Sequence, residues 1–255
     1  MSKDGYFSAL EHVTSLITTS TYITILTGAG ISTPSGIPDF RTSKTGLWKK
    51  ADPMDAISLS NFLKNPDIFY QWYHPFAKQL NQSKPNKAHM VLAKMQEKKV
   101  IQSIITQNID DLHHAAGKYP PIELHGNLKN WQCLQGHPIP QKNNYFTHFC
   151  ETGEKPVCPI CNKVLKPAIV FFEEALPIPA WDAAYAEAQK CDLMIVVGSS
   201  LVVGPANELP YIAMQNGARM IIFTLSDTPL DPYANIVIHE DVVTVLTDLE
   251  NKLGL

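Results

Sequence analysis

Apolar residues return at every third or fourth position over residues 7–17 (Leu10, Val13, Leu16, Ile17), the spacing of one face of an amphipathic helix. Residues 22–26 follow as a short apolar run and read as a strand. The same succession recurs down the chain. A helix over residues 86–98 sets Ala88, Val91, Leu92 and Met95 on one face and leads into an apolar strand over 100–106. A helix over 180–190 precedes a buried strand over 193–197, and a helix over 205–215 precedes a strand over 219–224. Strands alternating with helices give a parallel sheet covered on both faces. Right-handed crossovers then make it doubly wound, an α/β fold of the Rossmann-like kind.

Two stretches break this rhythm. Residues 42–85 carry Trp48, Phe62, Phe69, Tyr70, Trp72, Tyr73 and Phe76 and read as a helical insertion whose aromatics form its own core. Residues 127–164 read as a second insertion, a zinc ribbon. The two are expected to combine into a smaller domain, leaving 1–41, 86–126 and 165–255 as the larger one. The chain has 255 residues, 45% of them hydrophobic and 18% charged, ordinary for a globular enzyme with a full core. A net charge of −3 supplies no basic field for direct nucleic-acid binding. The longest apolar run, 193–203, is broken by Gly-Ser-Ser and too short to span a bilayer. Asp4 and Glu11 sit where a secretory leader would be basic and then apolar, so a cytoplasmic protein is expected.

The candidate chemistry clusters at strand ends. After the first strand come Gly28, Ala29 and Gly30, a turn where backbone can approach backbone, followed by a presumed helix. A strand, a Gly-x-Gly turn and a helix N-terminus together cradle a pyrophosphate, and Thr33 stands where the full fingerprint has a third Gly. Asp39, Phe40 and Arg41 follow on a Pro-stiffened loop. The strand ending at Thr106 delivers Gln107, Asn108, Ile109 and Asp110, polar groups that can reach ribose hydroxyls; Asp110 or Asp111 can equally cap a helix. His125 is followed by Gly126, which allows close approach. Four of the five cysteines fall between positions 133 and 161, a spacing that suggests metal rather than a disulfide framework. Cys158-Pro-Ile-Cys161 is one zinc knuckle. Cys133 supplies a third ligand, and either His137 or Cys150 the fourth.

Taken together, the runs ILTGAGIS…SGIPDFR, TQNID, ELHG, the Cys-x-x-Cys knuckle, KPAIVFFEE and GSSL resemble the sirtuin family, the NAD-dependent protein lysine deacylases. The resemblance covers nearly the whole chain. It implies NAD and zinc as cofactors and an acyl-lysine protein, bound as an extended peptide, as substrate. Gly28, Ala29, Gly30 and Thr33 would then face the pyrophosphate opposite Gly198, Ser199 and Ser200. Gln107, Asn108, Ile109 and Asp110 would hold the nicotinamide and its ribose, with Asn108 and His125 catalytic and His125 the general base. Phe40 would shield the reacting centre, Arg41 contact the phosphates and Asp39 order the loop. Thr224, with Leu225 beside it, and Val242 would serve the adenosine side. Val170, Phe171 and Phe172 would pair with the peptide. His113 matches a non-catalytic family position. The chain departs from the family at Gly136 (commonly Cys), Glu173 (commonly Gly) and Thr224 (commonly Asn). No Arg follows Tyr70 or Tyr73 three residues later, as it would in succinyl- and malonyl-preferring members, so acetyl or another neutral acyl group is implied. An NAD glycohydrolase or ADP-ribosyltransferase on the same scaffold is the alternative.

Overall fold

The computed structural model describes residues 3–38, 56–140 and 144–255; Asp39, Phe40, Arg41 and Trp48 lie outside them. Eight strands are described: β1 Ile23–Thr27, β2 Ser103–Thr106, β3 Ile122–Glu123, β4 Gly126–Gln132, β5 Lys166–Ile169, β6 Leu193–Val197, β7 Arg219–Phe223 and β8 Ile236–Ile238. Six of them form one parallel sheet in the order β3-β2-β1-β6-β7-β8. The chain thus winds outward from β1 through β2 to β3, then returns to the other side of β1 for the rest. That reversal leaves a crevice between the C-terminal ends of β1 and β6.

The helices are α1 Lys3–Thr19, α2 Leu59–Lys64, α3 Pro66–Gln82, α4 Lys87–Glu97, α5 Leu112–Ala116, α6 Tyr145–Thr152, α7 Ile178–Lys190, α8 Leu209–Gln215 and α9 Val242–Leu253. Strand side chains alternate between faces. Leu193, Ile195 and Val197 of β6 therefore join the core beneath α1, α4 and α9, while Met194 and Val196 join the core beneath α7 and α8. Among the described residues no helix is long and apolar enough to cross a membrane.

A third core lies apart from the sheet. It is built on α3, where Phe69, Tyr70, Tyr73 and Phe76 are buried with Phe62, Trp131, Phe149 and Phe171. Their rings meet edge-on or offset, as between Phe62 and Phe171 (5.5 Å) and between Tyr73 and Phe149 (5.2 Å). The two buried phenols donate to backbone carbonyls, Tyr70 to Leu165 and Tyr73 to Leu128 at 2.7 Å. The described aromatics of this insertion, Phe62 to Phe76, are core, as their pattern predicts. β4 and β5 pair antiparallel alongside, and the wholly buried Lys166 ties the end of β5 to the following loop. Its ammonium lies 2.7 Å from Glu174, donates to the Ile169 carbonyl at 2.6 Å and sits 4.0 Å from the Phe171 ring centre.

Several boundaries differ from the sequence expectation. β2 starts at Ser103 rather than near 100, because Lys99 turns the chain with φ of 60°. The helix expected over 205–215 begins as a 3-10 turn, Ala206–Glu208, before α8, whose first turn contains Pro210.

Beneath β1 and β2, α4 and α5 bury His89 and His113 with ring centres 4.9 Å apart. Burial lowers the pKa of His89 from 6.5 to about 4; burial, then the neighbouring His89 and His114, lowers that of His113 to about 3.

Phe69→Ala is expected to reduce unfolding free energy by about 3–5 kcal/mol in urea denaturation, against under about 0.5 kcal/mol for the exposed Ile178→Ala. The unfolded chain protonates its histidines near pH 6.5, whereas folded His89 and His113 stay neutral down to about 4 and 3. Stability should therefore fall as pH drops from 6.5 towards 4. His89→Phe should flatten that slope in urea titrations at pH 7 and pH 5.

Candidate active site

The crevice between β1 and β6 is closed by two turns lying on one another. Gly28 donates to the Val197 carbonyl (3.0 Å) and Gly30 to the Gly198 carbonyl (2.8 Å). A Cβ on Gly28 would meet Ser199 Cα at 2.8 Å, and one on Gly30 would meet Gly198 Cα at 2.8 Å. Gly198 itself takes φ of 65°, and a Cβ there would stand 2.5 Å from the Ile31 nitrogen. Only glycine satisfies both the contact and the left-handed backbone. The expected α-helix after this turn is absent. Instead two 3-10 turns, Ala29–Ile31 and Thr33–Ser35, meet at Ser32, and Gly36 (φ 84°) ends the second. Pro34 brings no N–H and the left-handed Gly36 breaks any continuation. The Gly28 and Gly30 N–H groups are engaged across the crevice, and both glycines serve its close approach.

Onto this crossing the end of β2 delivers its polar residues. Gln107 Nε2 donates to Ser199 Oγ at 3.1 Å. The Asn108 amide donates to the Gly28 carbonyl and to Ser32 Oγ, both at 3.1 Å. Ser32 in turn donates to Asp110 at 2.6 Å, and the other Asp110 oxygen accepts from Leu112 N at 2.9 Å. Asp110 therefore belongs to the cluster and caps α5 at once. Burial raises its pKa, opposed by the hydrogen bonds from Ser32 and Leu112. Ala29, Ser32, Ile37, Pro38, Phe76, Asn108, Ile109 and Asp110 line a small cavity at this point.

His125 sits between β3 and β4. Gly126 follows with φ of 75°, and a Cβ there would fall 2.0 Å from the Ala168 carbonyl oxygen. The His125 carbonyl accepts from Val170 N (2.9 Å), and its ring Nδ1 lies 2.8 Å from the Gln107 carbonyl oxygen. A carbonyl can only accept, so Nδ1 carries the proton and Nε2 the lone pair of the neutral ring. Burial lowers the His125 pKa, with the Gln107 carbonyl acting the other way.

The segment after β5 presents alternate faces. Phe171 is buried in the aromatic core, Val170 is half-buried and Phe172 is 47% exposed. Phe172 exchanges backbone hydrogen bonds with Ile57 and Leu59 (2.9 and 3.2 Å). Glu173 takes the left-handed φ of 76° that suits the glycine expected there, and its carboxylate accepts from Ser60 N and Oγ, each at 2.9 Å. Ser200 follows Ser199 at the crevice. Farther along the sheet edge Thr224 is buried, whereas Leu225 is 70% exposed and the Val242 side chain packs into the core beneath the sheet.

Cys133, His137, Cys158 and Cys161 come together in the ribbon. Cys133 Sγ lies 3.7 Å from Cys161 Sγ and 3.5 Å from His137 Nδ1, which is 3.7 Å from Cys158 Sγ. Tetrahedral zinc with sulfur at about 2.3 Å and nitrogen at about 2.1 Å puts its ligand atoms roughly 3.5–3.8 Å apart. The donor set fits zinc. Gly136, where the family has a cysteine, takes φ of 77° and turns the chain so that His137 reaches in. Cys150, the alternative, is buried on α6 in the aromatic core.

Sequence reasoning singled out neither Ser32, the hub between Asn108 and Asp110, nor the Lys166–Glu174 pair. Ser32 was legible only as part of the GAGIS run; the ion pair joins residues eight apart across a bend no local pattern marks.

A switch-point crevice lined by a glycine crossing, an amide–carboxylate cluster and a neutral imidazole, beside a closed zinc ribbon, defines a dinucleotide-binding α/β enzyme. The chain belongs to the Sir2 family, whose sequence profile matches residues 28–205. It is 42% identical to an NAD-dependent protein deacetylase of Thermotoga maritima over 228 residues, 89% of this chain and 92% of that one. A solved Sir2 with a p53 peptide and NAD+ superposes with TM-score 0.82 at 38% identity, covering 96% of this chain and 98% of that one. A Sir2 bound to a propionylated peptide does so with TM-score 0.83, again at 38% identity and with coverage of 96% and 98%.

Metal analysis of the purified protein should find zinc, lost in Cys158→Ser and retained in Cys150→Ala.

Proposed function

We propose that this protein removes acetyl or another neutral acyl group from protein lysines at the expense of NAD, giving nicotinamide, acyl-ADP-ribose and free lysine. The carrying observation is the His125 ring, held neutral by burial and fixed in one tautomer by its Nδ1–H on the carbonyl of Gln107, one residue from Asn108. The chain's residues fit the dinucleotide: Gly28 and Gly30 place no Cβ in the crevice, and Asn108, Ile109 and Asp110 open on the cavity beside Ala29.

When bound, NAD supplies a ribose carbon that becomes electrophilic as nicotinamide leaves and so accepts the acyl oxygen. Asn108, with both amide protons committed to Gly28 and Ser32, offers Oδ1 as an acceptor for a ribose hydroxyl. His125 offers the Nε2 lone pair to remove a proton from that ribose, the general-base task for which a neutral imidazole is suited. Gly28, Ala29, Gly30 and Thr33 would flank the phosphates with Ser199 and Ser200 opposite; the roles of Phe40 and Arg41, which lie outside the described residues, are assigned from the family resemblance alone. We assign Val170 to Phe172 to the extended peptide, a segment whose own N–H groups and Phe172 carbonyl are held by His125, Glu174, Ile57 and Leu59. Cys133, His137, Cys158 and Cys161 would hold zinc as a brace for the ribbon, and four protein ligands would leave it no open position for catalysis.

We assign the larger domain to 1–41, 86–126 and 165–255 and the smaller to 42–85 and 127–164, a division supported by the separate aromatic core. A cytoplasmic location is supported by cysteines that are metal ligands or buried thiols rather than disulfides.

Nicotinamide release should depend on an acetyl-lysine peptide and match the loss of acetyl; release without peptide would favour a glycohydrolase. His125→Ala should lower deacylation at least about 100-fold while NAD still binds. Because the His125 pKa is lowered, the acid limb of the kcat/KM profile should fall below pH 6.5, activity being lost as the ring protonates. A preference for succinyl-lysine would contradict the neutral-acyl assignment.

A further inference from the structure

Beneath the site runs a line of buried polar side chains that the mechanism above does not use. Thr27 and Thr106 are the last residues of β1 and β2 and lie directly opposite one another in the parallel register. Both are buried, and Thr27 donates its hydroxyl proton to Thr106 Oγ1 at 2.9 Å. His113 Nε2 lies 3.0 Å from the same Thr27 oxygen. With the Thr27 proton already given to Thr106, His113 must be the donor, through Nε2–H. Thr106 Oγ1 also accepts the main-chain N–H of Asn108 at 3.0 Å.

We propose that His113 is a positioning residue, which sets the catalytic Asn108 in register through the hydroxyls of Thr27 and Thr106. The proposal rests on the role given to Asn108 above. That residue is then pinned at three points: its amide by Gly28 and Ser32, and its main chain by Thr106. The main-chain point decides where Oδ1 stands, because it fixes the Cα from which the side chain departs. Hydrophobic side chains of the same shape would fill these positions without burying hydroxyls and an imidazole. What they would lack is the acceptor for the Asn108 N–H and the donor that orients it. His89, edge-on to His113, confines its ring from behind. A reacting group displaced by a fraction of an ångström affects the chemical step more than ground-state binding.

The test compares Thr106→Val, which keeps the shape and removes the hydroxyl, with Thr106→Ser, which keeps the hydroxyl. Both are assayed in the full chain with NAD and an acetyl-lysine peptide, well below each variant's Tm. Thr106→Val should lower kcat about tenfold with the KM for NAD changed less than about twofold, and Thr106→Ser should restore kcat to within about twofold of the parent. His113→Phe should reproduce the loss, and His113→Gln, whose Nε2 can still donate to Thr27, should recover most of it. Wild-type kcat in Thr106→Val, or no recovery in Thr106→Ser, overturns the proposal. Asn108→Ala separates the two levels of the argument. If it retains full activity, the role of Asn108 itself is wrong; if it is inactive while Thr106→Val is not, only the relay fails.

Discussion

The whole site hangs on one steric constraint: the turn after β1 lies in van der Waals contact with the turn after β6. Three glycines make that contact possible, and two backbone hydrogen bonds close it. The contact does more than spare room for a ligand. It brings the Gly28 carbonyl and Ser32 within reach of Asn108, and Ser199 within reach of Gln107, so that the side chains of β2's end are anchored on the turns of its neighbours. A single added Cβ would push apart the two halves of a doubly wound sheet at the point where its winding reverses.

His125 is placed by a second, independent constraint. Gly126 passes almost against the Ala168 carbonyl, and Val170 hydrogen-bonds back to the His125 carbonyl. The imidazole thus shares its backbone support with the 170–172 segment. That segment is itself held from below by the buried Lys166 and Glu174, and from the side by Glu173 on Ser60. His125 and the 170–172 segment are thus tied to one another and to the aromatic core, while the imidazole also reaches the end of β2 through the Gln107 carbonyl.

Much of this was legible in the chain. Apolar runs such as 193–197 and the helical spacing of Ala88, Val91, Leu92 and Met95 mark the sheet and its cover, because burial dictates both. The motifs fall at strand ends, where the topology must bring them together. His137, four residues after Cys133, is the ligand the spacing favours over Cys150; what the sequence does not display is the turn at Gly136 that brings it in and the burial of Cys150 on α6. The 3-10 turns after β1 were missed because a Gly-x-Gly signature is shared with folds that do start a helix there; Pro34 and Gly36 were the local signs against it. The relay from His113 was hidden for a different reason: Thr27, Thr106 and His113 are ordinary residues far apart in sequence, and only the strand register sets them side by side.

The ribbon's donor set has an electrostatic consequence. Three thiolates and one neutral imidazole around a divalent ion sum to −1, from +2 and −3, where four thiolates would sum to −2. The smaller charge lets the centre sit beside an aromatic core with less desolvation. It also leaves one sulfur fewer for oxidants to attack. Taking a histidine one position beyond the usual cysteine thus changes the charge and the oxidisable sulfur of the centre while keeping four ligands.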